Sequence, residues 1–397
     1  MGKTEFIRIY IMPDIWETVT DSQVFGWMDN LNRMGFPTTI ISFATKIVSV
    51  SQKRKIENKI GGNFYQYKQK KMFINDIFTV FILFLHYIKV FGKTNKIIFQ
   101  TRVSNIAVPL VIIKFLPKTR IIFDARGAHS EEFAHNHNLN NLNLLKKIKY
   151  LSLKLNEKLL VINSDLVFCV SNSLKKYYIK KYNQSLKRFK VIPGAGDGEL
   201  FYFNHSERQQ LRKQYRVENK IIFIYAGKLE MKWEIPDEIF LFFKQISNQN
   251  NNALLYLLTP DIMLAKKLRK KYGFESDCVK IKSVDYSDVR PYLNMADIAL
   301  LLRENVLMNN VASPTKFAEY LLCGLPVIIS DAILDFAEIV KNFNFGVAIS
   351  DFQPTPSVNS FINLVHKQDK ILIANWASSN LSKECYLKNI VDTFCNI

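Results

Sequence analysis

Residues Ala312 to Ser330 read A-S-P-T-K-F-A-E-Y-L-L-C-G-L-P-V-I-I-S. Ser313 suits a helix N-cap and Pro314 the first helical position, so a helix is expected to start there. Lys316 and Glu319 fall in its first two turns, where backbone N–H groups lack partners and the dipole favours an anion. Gly324 stops the helix and Pro326 forbids its continuation. Val327 to Ile329 is wholly apolar, as a strand buried in a parallel sheet requires. Polar groups at a helix start beside a buried strand suit a phosphate or a nucleotide. The plainer alternative is an ordinary capped helix of an α/β sheet.

Outward from this stretch the pattern repeats. Phe6 to Met12 reads as a strand broken by Pro13, Val24 to Met34 as a helix, and Thr38 to Phe43 as a second strand. Strand, helix, strand implies a parallel sheet with helices on its faces. No G-x-G-x-x-G follows the first strand, so the dinucleotide fingerprint is absent there. Residues 46–71 are basic and weakly patterned. Further strands are expected at Ile97–Gln100, Arg120–Phe123 and Leu166–Val170, with helices near 105–116 and from Leu142 to Leu160. The pattern restarts at Ile221 to Tyr225, with strands at Leu254–Thr259, Val279–Lys282 and Ile298–Leu302. The tail, Leu381 to Ile397, has helical spacing.

At 397 residues the chain is long enough for two domains, and 48% hydrophobic content is a globular value. The five cysteines, 169, 278, 323, 385 and 395, are odd in number and lack metal-ligand spacing. They fit reduced, buried or incidental thiols of a cytoplasmic protein. Phe6 to Met12 is too short for a secretory signal and is interrupted by Arg8. The apolar run Ile77 to Val90 is short of a membrane span and reads as a buried or interfacial helix. The net charge of +19 is lopsided: residues 1–200 hold 31 Lys and Arg against 14 Asp and Glu, residues 201–397 hold 23 against 21. A basic first half suits an anionic membrane leaflet. Nucleic acid is the other charge-matched partner, but no nucleic-acid reading motif accompanies it.

Two strand ends carry candidate chemistry, because ligands of open parallel sheets bind outside the strands' carboxyl ends. The first is Gly227 and Lys228, with Lys232 four residues on, an outline of a phosphate site. The second is Asp124, Arg126, His129, Glu131 and Glu132. Arg126 suits a phosphate or a pairing with Glu131, and His129 is either a cleft residue or an exposed loop residue. No Asp-x-Asp stands at a strand end, so no catalytic metal and no cofactor are expected.

S-P-T-K-x-x-E-Y-L-x-C-G-L-P-V-I also resembles the donor-binding helix of the family-4 retaining glycosyltransferases, the glycosyl transferases group 1 with the GT-B fold. Val191 to Asp197 is similar to that family's interdomain strand and glycine turn, and Tyr292 to Leu301 to its Y-x-x-A-D-I-x-L-L entry. The resemblance implies two Rossmann-like domains facing across a cleft. These are an acceptor domain at 1–195, a nucleotide-sugar domain at 196–378, and a helix at 379–397 crossing back to the first. It implies a hexosyl- or N-acetylhexosaminyl-transferase that moves a sugar from a nucleotide diphosphate to a lipid-linked or saccharide acceptor. The setting would be capsule, lipopolysaccharide or similar polysaccharide synthesis, peripheral on the inner face of the plasma membrane. Lys228, Lys232 and Glu319 would be catalytic. Gly227, Glu304, Ser313, Pro314, Thr315 and Lys316 would join them at the donor. Asp124, Arg126, Glu131, Gly194 and Gly196 would line the acceptor side or cleft. Lys228 stands where the family commonly has Arg, and Val311 where it has a first Glu, with Asn309 and Asn310 alongside. A GT-B sugar epimerase and a non-catalytic GT-B partner subunit are the rival readings.

Overall fold

Among the described residues, thirteen strands form two all-parallel sheets. The computed structural model describes residues 5–13, 20, 24–69, 72–102, 104–137, 143–231, 233–350, 363 and 369–397. The first sheet holds β1 (Ile7–Met12), β2 (Thr38–Ala44), β3 (Phe64–Lys68), β4 (Ile97–Thr101), β5 (Thr119–Ala125), β6 (Leu166–Cys169) and β7 (Phe189–Val191). Their order is β3-β2-β1-β4-β5-β6-β7. The second holds β8 (Ile221–Ala226), β9 (Ala253–Leu258), β10 (Val279–Lys282), β11 (Ile298–Leu301), β12 (Val327–Ser330) and β13 (Gly346–Ile349), ordered β10-β9-β8-β11-β12-β13.

Each order reverses once, between β1 and β4 and between β8 and β11. Such a reversal opens a crevice at the carboxyl ends of the two strands. The central strands of the second sheet, I-I-F-I-Y-A, A-L-L-Y-L-L, I-A-L-L and V-I-I-S, are buried along nearly their whole length. Apolar runs without alternation are what a sheet covered on both faces demands.

The chain divides into two compact units, residues 1–193 with 386–397, and residues 194–385. The last helix, Lys383–Asn396, is therefore shared, and the change comes at 386 rather than 379. Leu381 is buried in the second core, and Ser382 bridges to Gly196. Beyond 386, Lys96 donates to the Phe394 carbonyl at 3.0 Å and Lys190 to Thr393 Oγ1 at 2.6 Å, both within the first unit.

Four elements differ from the expectation. The basic stretch 46–71 holds a helix, Val50–Ile60, opened by a reciprocal Ser49/Gln52 capping box, and the edge strand β3. Polar side chains tolerated at an open edge blurred the pattern there. The short edge strand β13 was also not expected. Finally, the helix of the opening stretch is Thr315–Leu322 with Pro314 at its cap position, and Ser313 makes no capping bond.

Candidate functional site

At the second reversal, β8 ends at Ala226 and the chain turns at Gly227 with φ +147, a left-handed value that favours glycine. Ala226 N–H donates to the Tyr320 hydroxyl at 3.0 Å, so the Thr315–Leu322 helix pins this strand end. The Gly227 turn lies directly on Lys316, and a Cβ there would collide with its Cε and Nζ.

Lys316 Nζ donates to Glu234 Oε1 and to the Tyr225 hydroxyl, both at 2.9 Å. Arg303, just beyond β11, reaches the same Glu234 oxygen at 3.0 Å. Glu234 is buried. Burial works to raise its carboxyl, but Lys316 and Arg303 overcome this and hold it below the usual value. Burial lowers the Lys316 ammonium, with Glu234 opposing. Two cations share one carboxylate, so the cluster keeps a net positive charge under a glycine turn. An oxyanion brought to that turn would meet this surplus charge and the first-turn N–H groups of the helix.

Glu319 lies one turn further along the helix and is 6% exposed. Its Oε1 accepts from the Tyr286 hydroxyl at 2.8 Å. Burial raises its carboxyl, and the Tyr286 bond opposes the shift.

The other expected donor residues are placed less uniformly. Ser313 Oγ accepts from the Gly194 N–H at 2.8 Å instead of capping the helix. Lys228 is exposed, and its carbonyl accepts from the Tyr225 hydroxyl at 2.7 Å. Glu304 is exposed, and its carbonyl accepts from Asn309 Nδ2 at 2.9 Å. Asn310 Nδ2 donates to Asn305 Oδ1 and to the Ala332 carbonyl. The amides of both asparagines thus tie the loop together. Val311 is 2% exposed, so the place of the family's first Glu is a core position. Lys232 lies outside the described residues.

Gly194 and Gly196 belong with this unit and serve it by close approach, not by unusual dihedrals. A Cβ at Gly194 would strike the Ser313 carbonyl, and one at Gly196 would strike Leu322 Cδ1. Tyr225, Glu234, Tyr286 and Arg303 were not anticipated from the sequence. Arg303 carried a usable signal, since it directly follows a buried strand.

In the first unit, the expected group at the end of β5 divides. Asp124 is buried, accepts from the Tyr10 hydroxyl at 3.1 Å, and pairs with Arg126 Nε at 2.9 Å. The two line a cavity of about 30 Å³ with Arg8, Tyr10 and Gln100. That is room for about one water. Burial brings the Arg8 guanidinium down to about 10. Glu131 stands apart, held by Lys181 at 3.3 Å and the Tyr177 hydroxyl at 3.1 Å, so it is not the partner of Arg126. His129 opens the helix His129–His137 and is half-buried, not an exposed loop residue, and burial lowers its imidazole. Among the described residues, no group of three His, Cys, Asp or Glu could hold a metal ion.

Residues 207–377 match the family model described as glycosyl transferases group 1. That match falls within the second unit. Over 323 residues the chain is 24% identical to a chitobiosyldiphosphodolichol beta-mannosyltransferase of Candida albicans, covering 75% of this chain and 68% of that one. Among solved structures, Anabaena HepE in complex with UDP superposes with a TM-score of 0.72 at 13% identity, over 98% of this chain and all of that one. WaaG, a glycosyltransferase involved in lipopolysaccharide biosynthesis, does so with 0.63 at 13%, over 98% of each chain. The two parallel sheets are those of the GT-B fold.

Proposed function

We propose that the chain transfers a hexose or N-acetylhexosamine from a nucleotide diphosphate to a lipid-linked or saccharide acceptor in surface polysaccharide synthesis. The reaction would proceed with retention, at the inner face of a membrane. The observation that carries this is the Lys316–Glu234–Arg303 cluster beneath the Gly227 turn, with Glu319 one turn away. In this reading Glu319 accepts hydrogen bonds from the ribose hydroxyls. Lys228, Lys232 and the cation surplus of the cluster neutralise the departing diphosphate. The bond from the sugar's anomeric carbon to the diphosphate breaks, and the acceptor oxygen bonds to that carbon on the same face. The acceptor proton passes to a diphosphate oxygen. The cations supply the positive charge, so the reading calls for no metal and no cofactor. Asp124 and Arg126 are the acceptor-side candidates.

The nucleotide is tested by thermal shift with UDP, GDP, CMP and ADP on the parent and on Glu319→Ala. One nucleotide should stabilise the parent and lose its effect in the variant. Stereochemistry is tested by the anomeric configuration of the product. The β linkage in the Candida relative's name makes inversion the outcome to watch for. Buried Val311 favours one rival, a non-catalytic partner subunit. Nucleotide binding without turnover of any donor, with or without a co-purified transferase, would select it. Interconversion of a nucleotide sugar without acceptor would select an epimerase.

A further inference from the structure

The helices Met72–Phe91, Ala107–Ile113 and Leu144–Asn163 lie side by side in the first unit. Tyr87 donates its hydroxyl to the Pro117 carbonyl at 3.2 Å, Lys118 reaches the Phe91 carbonyl at 3.2 Å, and Lys114 Nζ bonds the Asn163 carbonyl. Each helix turns apolar side chains outward. On the first, positions 77, 81, 84, 85, 88 and 91 are exposed and apolar, a helical stripe. On the second and just past its end they are 108, 112 and 115, and on the third 144, 145, 148, 151, 155 and 162. These fifteen are more than half of the twenty-seven exposed large hydrophobic residues described. Phe115 is 84% exposed and Leu151 63%. A surface helix ordinarily shows solvent its polar side. Contiguous apolar surface of this extent marks an interaction site.

The charge around it selects the partner. The three helices carry Lys89, Lys146, Lys147, Lys149, Lys154 and Lys158, and their only acids are Asp76 and the buried Glu157. Glu157 is paired with Lys181 at 3.2 Å. Among the described residues, no helix is long and apolar enough to cross a membrane. Apolar stripes edged by lysines, too short to span, suit the headgroup boundary of an anionic bilayer.

We propose that these three helices form one docking face that lies in the surface of an anionic lipid bilayer. Phe84, Phe115 and Leu151 enter the acyl boundary, and the lysines rest on lipid phosphates. The link to transfer rests on the function proposed above. Docking itself is read without donor or acceptor, so failure of one is distinguishable from failure of the other.

The test is flotation of the full chain with vesicles of phosphatidylcholine alone and of phosphatidylcholine mixed with phosphatidylglycerol. The parent should float with the mixed vesicles only. The triple variant Phe84→Ser, Phe115→Ser, Leu151→Ser should lose binding roughly tenfold or more, because three bulky apolar groups leave the lipid. Lys147→Glu with Lys154→Glu should weaken binding and make what remains less sensitive to salt. An unchanged melting temperature verifies folding. If the triple variant loses it, Phe115→Ser alone serves, with a smaller loss expected. Absence of parent binding to mixed vesicles at low salt would overturn the proposal. So would binding indifferent to the apolar substitutions. A parent that is dimeric, indifferent to lipid and made monomeric by the triple variant would assign the face to a second copy instead.

Discussion

The helices Thr315–Leu322 and Leu144–Asn163 put their leucines in opposite places. In the first, Leu321 and Leu322 are buried, and the polar residues gather near the N-terminus beside the Gly227 turn. In the second, Leu151 and Leu155 face solvent while Glu157 is buried with Lys181, Tyr182 and Ser130 around it. The first helix completes a core and presents a site at its end. The second seals Glu157 inside and offers an apolar surface edged by lysines. The contrast shows that an apolar stripe fixes a helix's two sides but leaves open which one meets the protein.

The contrast can be broken most sharply by the same truncation in both helices. Leu321→Ala should cost about 2–5 kcal/mol in denaturant unfolding. Leu151→Ala should stay within about 0.5 kcal/mol. Comparable costs would mean that the Leu144–Asn163 stripe is covered. Next in size is Glu234→Ala, which leaves Lys316 and Arg303 without their shared carboxylate and should destabilise the fold by about 3–5 kcal/mol. Glu234→Gln should cost less, because Lys316 and Arg303 keep an oxygen acceptor. Tyr286→Phe removes the hydrogen bond that orients Glu319. It should weaken nucleotide binding by about tenfold in titration calorimetry, since a hydrogen bond to a charged group is worth about 1.5–3 kcal/mol. Ser313→Ala removes the acceptor of the Gly194 N–H and should cost about 1 kcal/mol.

A pH dependence in the second unit is expected as well. Burial, with Arg208 next, presses the Lys370 ammonium down to about 7. An unfolded lysine titrates near about 10.4. The unfolded chain therefore binds more protons between these values, and stability should rise with pH across that window. Below about pH 7 the cost of the buried charge is present in full. The melting temperature of the parent should climb from neutral pH towards pH about 10, and Lys370→Gln should flatten the climb.

The site was legible where its residues sit close together in sequence. Gly227 with Lys228, and Lys316 with Glu319, were found because a strand end and a helix start have local signatures. Glu234, Arg303, Tyr225 and Tyr286 were not, because each reaches the cluster from a different segment. Asp124 and Glu131, seven residues apart, were read as one group. The helix His129–His137, which begins after Asp124, carries Glu131 away to Lys181.

The sequence by itself determined the two runs of parallel strands, since buried apolar segments bounded by turn residues follow from local chemistry. It also determined that the second unit would hold a glycine turn at a strand end and a helix with polar residues at its start. Only the tertiary structure decided that Lys316 shares Glu234 with Arg303, that Ser313 receives Gly194, and that the apolar side of Leu144–Asn163 faces outward. Those outcomes depend on which segments meet across strand crossovers, and hydrophobic periodicity carries no record of the partner.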